Sequence, residues 1–216
     1  MFEAFIKIGG SVCNRPELKF LARHWADLAR QYRLLFMAGG GLFADQVRVI
    51  DDTFDLSDSA AHWMAIAAMD QCGYLLADCM PNVEVVHDLD SALSIAAYGS
   101  SAVLLPSLLL RQHDPLPHSW QVTSDSLAAW LTGFANIHCL VLLKDVPGLY
   151  QTDSSITPPP LLAEVNREQL AQYEVVDPFF AKVLPDNVEC WIVDGRQPDR
   201  LAQLLETGKA AGTRIL

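Results

Sequence analysis

The apolar positions of this chain change period repeatedly, and each change marks a new element. Residues 2–8 read as a strand that ends at Gly9-Gly10. After Pro16 the apolar positions fall three and four apart, at Leu18, Leu21, Trp25, Leu28 and Tyr32, the stripe of an amphipathic helix. Leu34-Leu35-Phe36-Met37 returns to the strand pattern and stops at Gly39-Gly40-Gly41. A helix is predicted over about 42–54, and Ser57 caps a further, long one in which Ala60, Met64, Ala67, Ala68 and Gln71 mark packed or neighbouring faces.

The alternation continues past Pro81, with a strand over 83–86, a helix over 89–98 and a strand over 102–105. A polar, Pro-rich connection over 111–122 carries His113, His118 and Trp120. Ser124 or Asp125 is the expected cap of a helix reaching about 136, followed by a strand over 138–143. Residues 144–160 are turn-rich, with Asp153-Ser154-Ser155 and three consecutive prolines. The remainder predicts helices over about 167–173, 178–184 and 198–206, and strands over 190–193 and 213–216. Strand–helix alternation of this kind implies an α/β fold, a three-layer α/β/α sandwich with a mostly parallel central sheet. With no repeat and no linker-like stretch, residues 1–216 are expected to form one domain.

Composition narrows the class of partner. With 26 Asp plus Glu against 15 Lys plus Arg the formal charge is -11, which argues against nucleic acid and anionic membranes. A small anionic ligand stays open, because a phosphate site takes only a few local groups. At 51% hydrophobic and 19% charged the chain is far from the disordered regime, and its size lets it hide roughly 70% of its unfolded surface. The five cysteines are odd in number and contain no CxxC pair, which speaks against a disulfide framework or zinc ribbon and suits a reducing cytoplasm. No signal-peptide pattern opens the sequence and no apolar run approaches a membrane span, so a cytoplasmic location is expected.

Ligands in such sheets bind beyond the carboxyl ends of the strands, which directs attention to four segments. Lys7-Ile8-Gly9-Gly10-Ser11 places a cation in a strand and two glycines directly after it, a pattern that can bring backbone N–H groups against a phosphate. Read alone, Gly9-Gly10 is equally a turn and Lys7 a solvated edge residue. Gly39-Gly40-Gly41 permits the same close approach or a flexible turn. Thr123-Ser124-Asp125-Ser126 is a helix start rich in hydroxyls with a carboxylate, able to orient lysines or simply to cap. Lys144-Asp145-Val146-Pro147-Gly148-Leu149-Tyr150 is a strand end running into a turn with a cation and an aromatic. GxxxxGK[ST] and GxGxxG after a strand are both absent.

Taken in order, these segments resemble the amino acid kinase superfamily (the carbamate kinase-like fold). Its KxGGS opening, second Gly-rich exit, [ST]xDxxA helix start, D-x-x-G-[LV]-[YF] turn and terminal G-x-x-x-GT-x-[IL] appear here at 7–11, 39–41, 123–128, 145–150 and 208–216. Within it the chain resembles the kinases of methanofuran-type cofactor synthesis, which serve one-carbon metabolism and act on an aminomethylfuran methyl phosphate. That likeness rests on the stretches at 57–66, 119–126, 176–178 and 191–195.

The resemblance implies an ATP-dependent phosphotransferase working with Mg²⁺, with a phosphate acceptor rather than a carboxylate; the latter would need a cation cluster beside Gly39, where no arginine precedes Arg48. Acceptors of a related kind, such as UMP, an isoprenoid phosphate or a carboxylate, are the alternatives, as is a non-catalytic nucleotide-binding regulator. It implies that the N-terminal part takes the acceptor and the C-terminal part the nucleotide. It further implies that Lys7 acts on the transferring group, that Gly9, Gly10 and Ser11 cradle the ATP phosphates, and that Asp125 orients the lysines. Ser124, Lys144, Asp145, Gly148 and Tyr150 would complete the nucleotide site, and Gly39, Gly40, Gly41, Asp58, His62, Ser119, Trp120 and Thr123 the acceptor side. No protein ligand for a metal is assigned. The chain departs from the family at 177–182, where a GGM-x-x-K segment is replaced by Asp177-Pro178-Phe179-Phe180-Ala181-Lys182. Lys182 could fill the place of the second lysine or be a surface residue. The family also implies a homo-oligomer.

Overall fold

The computed structural model describes residues 1–152 and 156–216, and the turn predicted at Asp153-Ser154-Ser155 lies outside the described residues. Among these residues the strands are β1 (Ala4–Ile8), β2 (Leu34–Ala38), β3 (Glu84–Val86), β4 (Ala102–Leu104), β5 (Cys139–Lys144), β6 (Glu164–Val165), β7 (Glu189–Asp194) and β8 (Gly212–Ile215). They form one sheet in the order β3-β4-β2-β1-β5-β7-β8-β6. Every pair is parallel except β7–β8. The helices are α1 (Gly10–Cys13), α2 (Leu18–Leu28), α3 (Gly41–Phe54), α4 (Asp58–Cys79), α5 (Leu89–Ala97), α6 (Ser107–His113), α7 (Ser124–Phe134), α8 (Arg167–Leu170), α9 (Phe180–Val183) and α10 (Pro198–Thr207).

The central strands are buried on both faces, as runs such as the Leu34–Ala38 of β2 require. Period two assigns their side chains to two cores. Phe5, Leu35, Met37, Leu140 and Leu142 face one layer, where α7 supplies Leu127, Ala128 and Leu131 and α9 supplies Phe180. Ile6, Ile8, Phe36, Val141 and Leu143 face the other, against Leu21 and Trp25 of α2 and Leu201 and Leu204 of α10. The α/β/α sandwich is therefore built as predicted. Lys7 shares the face of Phe5 by the same alternation, and so points toward the layer that holds α7.

Four local expectations change. Gly10 does not merely turn; it opens the short α1, whose Val12 and Cys13 N–H groups both donate to the Gly9 carbonyl. α6 occupies 107–113, partly within the stretch read as connection. β6 at the far sheet edge was not foreseen, because two residues carry no period. Thr123, not Ser124 or Asp125, caps α7, its hydroxyl accepting from the Asp125 N–H at 3.3 Å. Asp125 is engaged elsewhere. Ser57 caps α4 as expected, and no helix among the described residues is long and apolar enough to cross a membrane.

Candidate active site

The adjacent strands β2, β1 and β5 end side by side, with Lys7 in register with Met37 and Leu142. Their exits bring Gly9-Gly10, Gly39-Gly40-Gly41 and Lys144 to one edge, under the N-terminus of α7. A Cβ on Gly10 would stand 2.7 Å from the Gly41 nitrogen, so the two Gly-rich exits pack backbone to backbone. Any side chain at Gly10 would force them apart.

Asp125, in the first turn of α7, lies between two ammonium groups. Lys7 Nζ donates to one carboxylate oxygen at 2.7 Å and Lys144 Nζ to the other at 2.5 Å. The Lys7 and Asp125 side chains are 3% and 5% exposed, that of Lys144 12%. Burial alone would raise the Asp125 carboxyl, but the charges of Lys7 and Lys144 outweigh it and hold the pKa at about 2. Burial pushes the Lys7 ammonium down, against the attraction of Asp125 and with the repulsion of Lys144. Asp125 is thus a fixed anion with both oxygens engaged. It positions two cations and is unavailable as a base.

A second buried carboxylate sets the helix that carries Asp125. Asp177 accepts from the Thr123 N–H at 3.0 Å, the Thr123 hydroxyl at 2.7 Å and the Ser126 N–H at 3.1 Å. It also accepts from the Ser126 hydroxyl and from the Phe179 N–H. An anion here satisfies orphan donors of the helix start and complements the positive end of its dipole. Asp177 is therefore a positioning residue. Asp177 has no visible role in the sequence, because its partners at the start of α7 lie some fifty positions away.

Two cavities open on either side of the α7 N-terminus, and Trp120 and Thr123 line both. The first, of about 290 Å³, is lined by Gly10, Ser11, Gly40, Gly41, His62 and Ser124, with Arg48, Asp45 and Asn14. Arg48 lies over the Trp120 ring at 4.6 Å, and the indole N–H donates to Asp51 at 2.6 Å, which fixes that aromatic wall. Burial and the neighbouring His118 push the His62 pKa below its ordinary value. A side notch brings Asp58 and Ser119 beside His62 and Trp120. The second cavity, of about 660 Å³, is lined by Asp125, Lys144, Arg167, Glu174 and Lys182 and by the apolar Leu170, Val175, Val176 and Pro178. It combines cations with apolar surface.

Most of the predicted residues converge here. Lys182, doubtful in the sequence for want of flanking glycines, lines the second cavity, its Nζ 5.5 Å from the Phe179 ring. Gly9 departs from expectation: its N–H donates to the Leu143 carbonyl at 2.8 Å, so it cannot also cradle a phosphate. Gly10 and Ser11 line the first cavity rather than the second. Gly39 is packed between Gly10 and Ser124 and supports the exits from behind. Lys7, Asp145, Gly148 and Tyr150 line neither cavity; Lys7 is linked to the second through Asp125, which lines it. Gly148 is buried at φ +147 against Thr213, and Tyr150 bridges to Leu161. Arg48, Asn14 and Asp45 were missed, since nothing in a helical stripe tells which polar positions overlook a cavity.

A lysine pair clamped by an ionised carboxylate at the carboxyl ends of a parallel sheet is an arrangement suited to phosphoryl transfer, in which positioning and charge neutralisation do the catalysis. The comparisons make the class specific. The chain matches the amino acid kinase family over residues 4–194 and belongs to that family. It is 30% identical over 216 residues to the [5-(aminomethyl)furan-3-yl]methyl phosphate kinase of Methanocaldococcus jannaschii, covering 98% of this chain and 96% of that protein. Among solved structures it resembles the uridylate kinase of Archaeoglobus fulgidus, with a TM-score of 0.77, 21% identity and coverage of 99% and 100% of the two chains. It also resembles the UMP kinase of Ureaplasma parvum, with a TM-score of 0.76, 16% identity and coverage of 98% and 97%. At these identities the structural likeness is one of fold.

Proposed function

We propose that the chain transfers the γ-phosphoryl group of ATP to a small phosphomonoester, [5-(aminomethyl)furan-3-yl]methyl phosphate, giving its diphosphate. The observation that carries this reading is the Lys7–Asp125–Lys144 cluster at the partition between two cavities. ATP occupies the larger cavity, its triphosphate toward Lys144 and Lys182 and its base along the apolar surface. Mg²⁺ bound to the phosphates would neutralise charge. Both Asp125 oxygens are taken by lysines, so the ion would be held by phosphate and water oxygens, its usual habit.

The acceptor takes the smaller cavity. Arg48 and a neutral His62 are the groups there for an anionic phosphate, and Asp45 and Asp58 suit an ammonium. Trp120 offers a face to a furan ring. A phosphate oxygen is already a nucleophile and needs no general base, which agrees with an Asp125 that cannot accept a proton. As the γ-phosphoryl group passes the α7 N-terminus, Lys7 and Lys144 stabilise the charge on its oxygens. The division of labour between N-terminal acceptor residues and C-terminal nucleotide residues is supported by the linings of the two cavities. Five unpaired cysteines fit a cytoplasmic location, and the exposed Leu42, Phe43, Val49 and Phe54 of α3 fit self-association.

The test is ADP release from Mg-ATP with a panel of acceptors: the furan phosphate, UMP, isopentenyl phosphate and acetylglutamate. Turnover with the furan phosphate alone is expected. Preference for UMP would replace the acceptor while leaving the kinase, and no ADP release with any acceptor would leave a nucleotide-binding regulator.

A further inference from the structure

At the edge of the acceptor cavity, His62 meets two side chains from separate segments that have no part in phosphoryl transfer. We propose that His62, Asp114 and His118 form a binding site for one divalent transition metal ion of the zinc class. One ligand atom from each lies within 4.8 Å of the others. His62 is on α4, Asp114 is the left-handed C-cap of α6 at φ 41, and His118 lies in the connection to α7. The two imidazoles stack at 4.3 Å with 19° between their planes, so the His62 ring has to turn out of the stack to bring its lone pair to the same ion as His118. Trp63 meets both rings edge-on, at 5.0 and 5.2 Å, and walls the cluster on one side.

The donor set selects the metal. Two imidazoles and one carboxylate suit Zn²⁺ and its neighbours with a fourth position open, whereas Mg²⁺ and Ca²⁺ prefer all-oxygen surroundings. The outer partner such a site needs is also present. His118 Nδ1 is 2.7 Å from the Ser59 hydroxyl, and its Nε2 is 2.9 Å from Asp114 Oδ1. Metal-ligating histidines are held this way through the second nitrogen. Without metal, Nε2–H donates to Asp114 and the Ser59 hydroxyl donates to Nδ1. With metal, the Nε2 lone pair takes the ion, the proton resides on Nδ1, and Nδ1–H donates to the Ser59 oxygen. Ser59 serves either tautomer.

Such an ion ties the connection bearing Ser119 and Trp120 to α4, and through His62 it adjoins the acceptor cavity. The inference does not rest on the identity of the acceptor, and its test needs no turnover.

Cobalt(II) is the probe, added at neutral pH to dialysed full-length chain. The expected result is one equivalent bound with visible ligand-field bands, displaced by Zn²⁺. His118→Ala and Asp114→Asn lose the bands. Ser59→Ala binds about 10–100-fold more weakly. His113→Ala, whose ring packs instead on Trp130 and Phe134, binds as wild type. Ser59→Ala decides the matter should a ligand variant fail to fold, since unchanged affinity there overturns the proposal. It is overturned as well by absence of visible bands, by bands that persist in folded His118→Ala, or by an intense near-ultraviolet thiolate band marking cysteine ligation.

Discussion

Asp125→Asn removes the one negative charge between two cations while nearly preserving shape. It leaves Lys7 in surroundings where its side chain is 3% exposed, and Lys144 where its own is 12% exposed. Taking one partner from a buried ion pair costs about 3–5 kcal/mol, because the remaining charge is stranded. Lys7 has an escape, since burial already favours its neutral form and the variant lets it shed its proton. The lower end is therefore expected, about 3 kcal/mol. For a chain of 216 residues that is a fall in Tm of about 6–12 °C with the fold retained. Urea unfolding of ligand-free protein at neutral pH measures it, alongside Lys7→Met and the double variant. The double variant should be more stable than Asp125→Asn alone, because it no longer strands Lys7. Turnover should fall about 100-fold or more in Asp125→Asn, as the lysines lose their aim. An Asp125→Asn protein within about 1 kcal/mol of wild type, or strictly additive effects in the double variant, would refute the reasoning.

The same carboxylate governs the acid limb of stability. Its pKa falls from the ordinary 3.8 to about 2 in the folded chain, so the unfolded chain takes up the proton first. The ion pair's contribution is whole above about pH 4 and is lost as pH falls through about 2. The stability gap between wild type and Asp125→Asn should narrow over that window, and a constant gap would count against it. Mg-ATP at about 100 times its Kd should add about 2.7 kcal/mol, a rise in Tm of roughly 5–11 °C. No shift in a thermal melt would remove the nucleotide from the larger cavity. Asp177→Ala should destabilise by about 2 kcal/mol or more, because buried donors at the start of α7 lose their acceptor. Urea midpoints unchanged from wild type would show that the helix start does not need that anion.

The layers of this fold were legible because burial on both faces leaves unbroken apolar runs such as Leu34-Leu35-Phe36-Met37, whereas the stripe at Leu18, Leu21, Trp25 and Leu28 has helical spacing. What escaped was short or non-local. A four-residue helix beginning at Gly10 reads as a turn, and the two residues of β6 have no period at all. The cap of α7 was misassigned by one or two positions because Asp125, an ordinary capping type, is drawn away by lysines 118 and 19 residues distant. The site was legible in outline through the order of its motifs. Its supports were not: Asp177 beneath α7, Arg48 stacked on Trp120, and the Gly9 amide committed to Leu143 depend on neighbours remote in sequence. The Lys182 position shows the reverse, a residue without its expected glycines that nonetheless lines the cavity.

The central claim is that phosphoryl transfer to a phosphomonoester occurs at the Lys7–Asp125–Lys144 partition. Phosphorus NMR of Mg-ATP with [5-(aminomethyl)furan-3-yl]methyl phosphate tests it most directly. Wild-type protein should convert the acceptor's monoester signal into a coupled phosphoanhydride pair as ADP accumulates, and Lys7→Ala should leave both substrates unchanged. An acceptor signal left intact by wild type while UMP is converted to UDP, or full conversion by Lys7→Ala, would contradict the account.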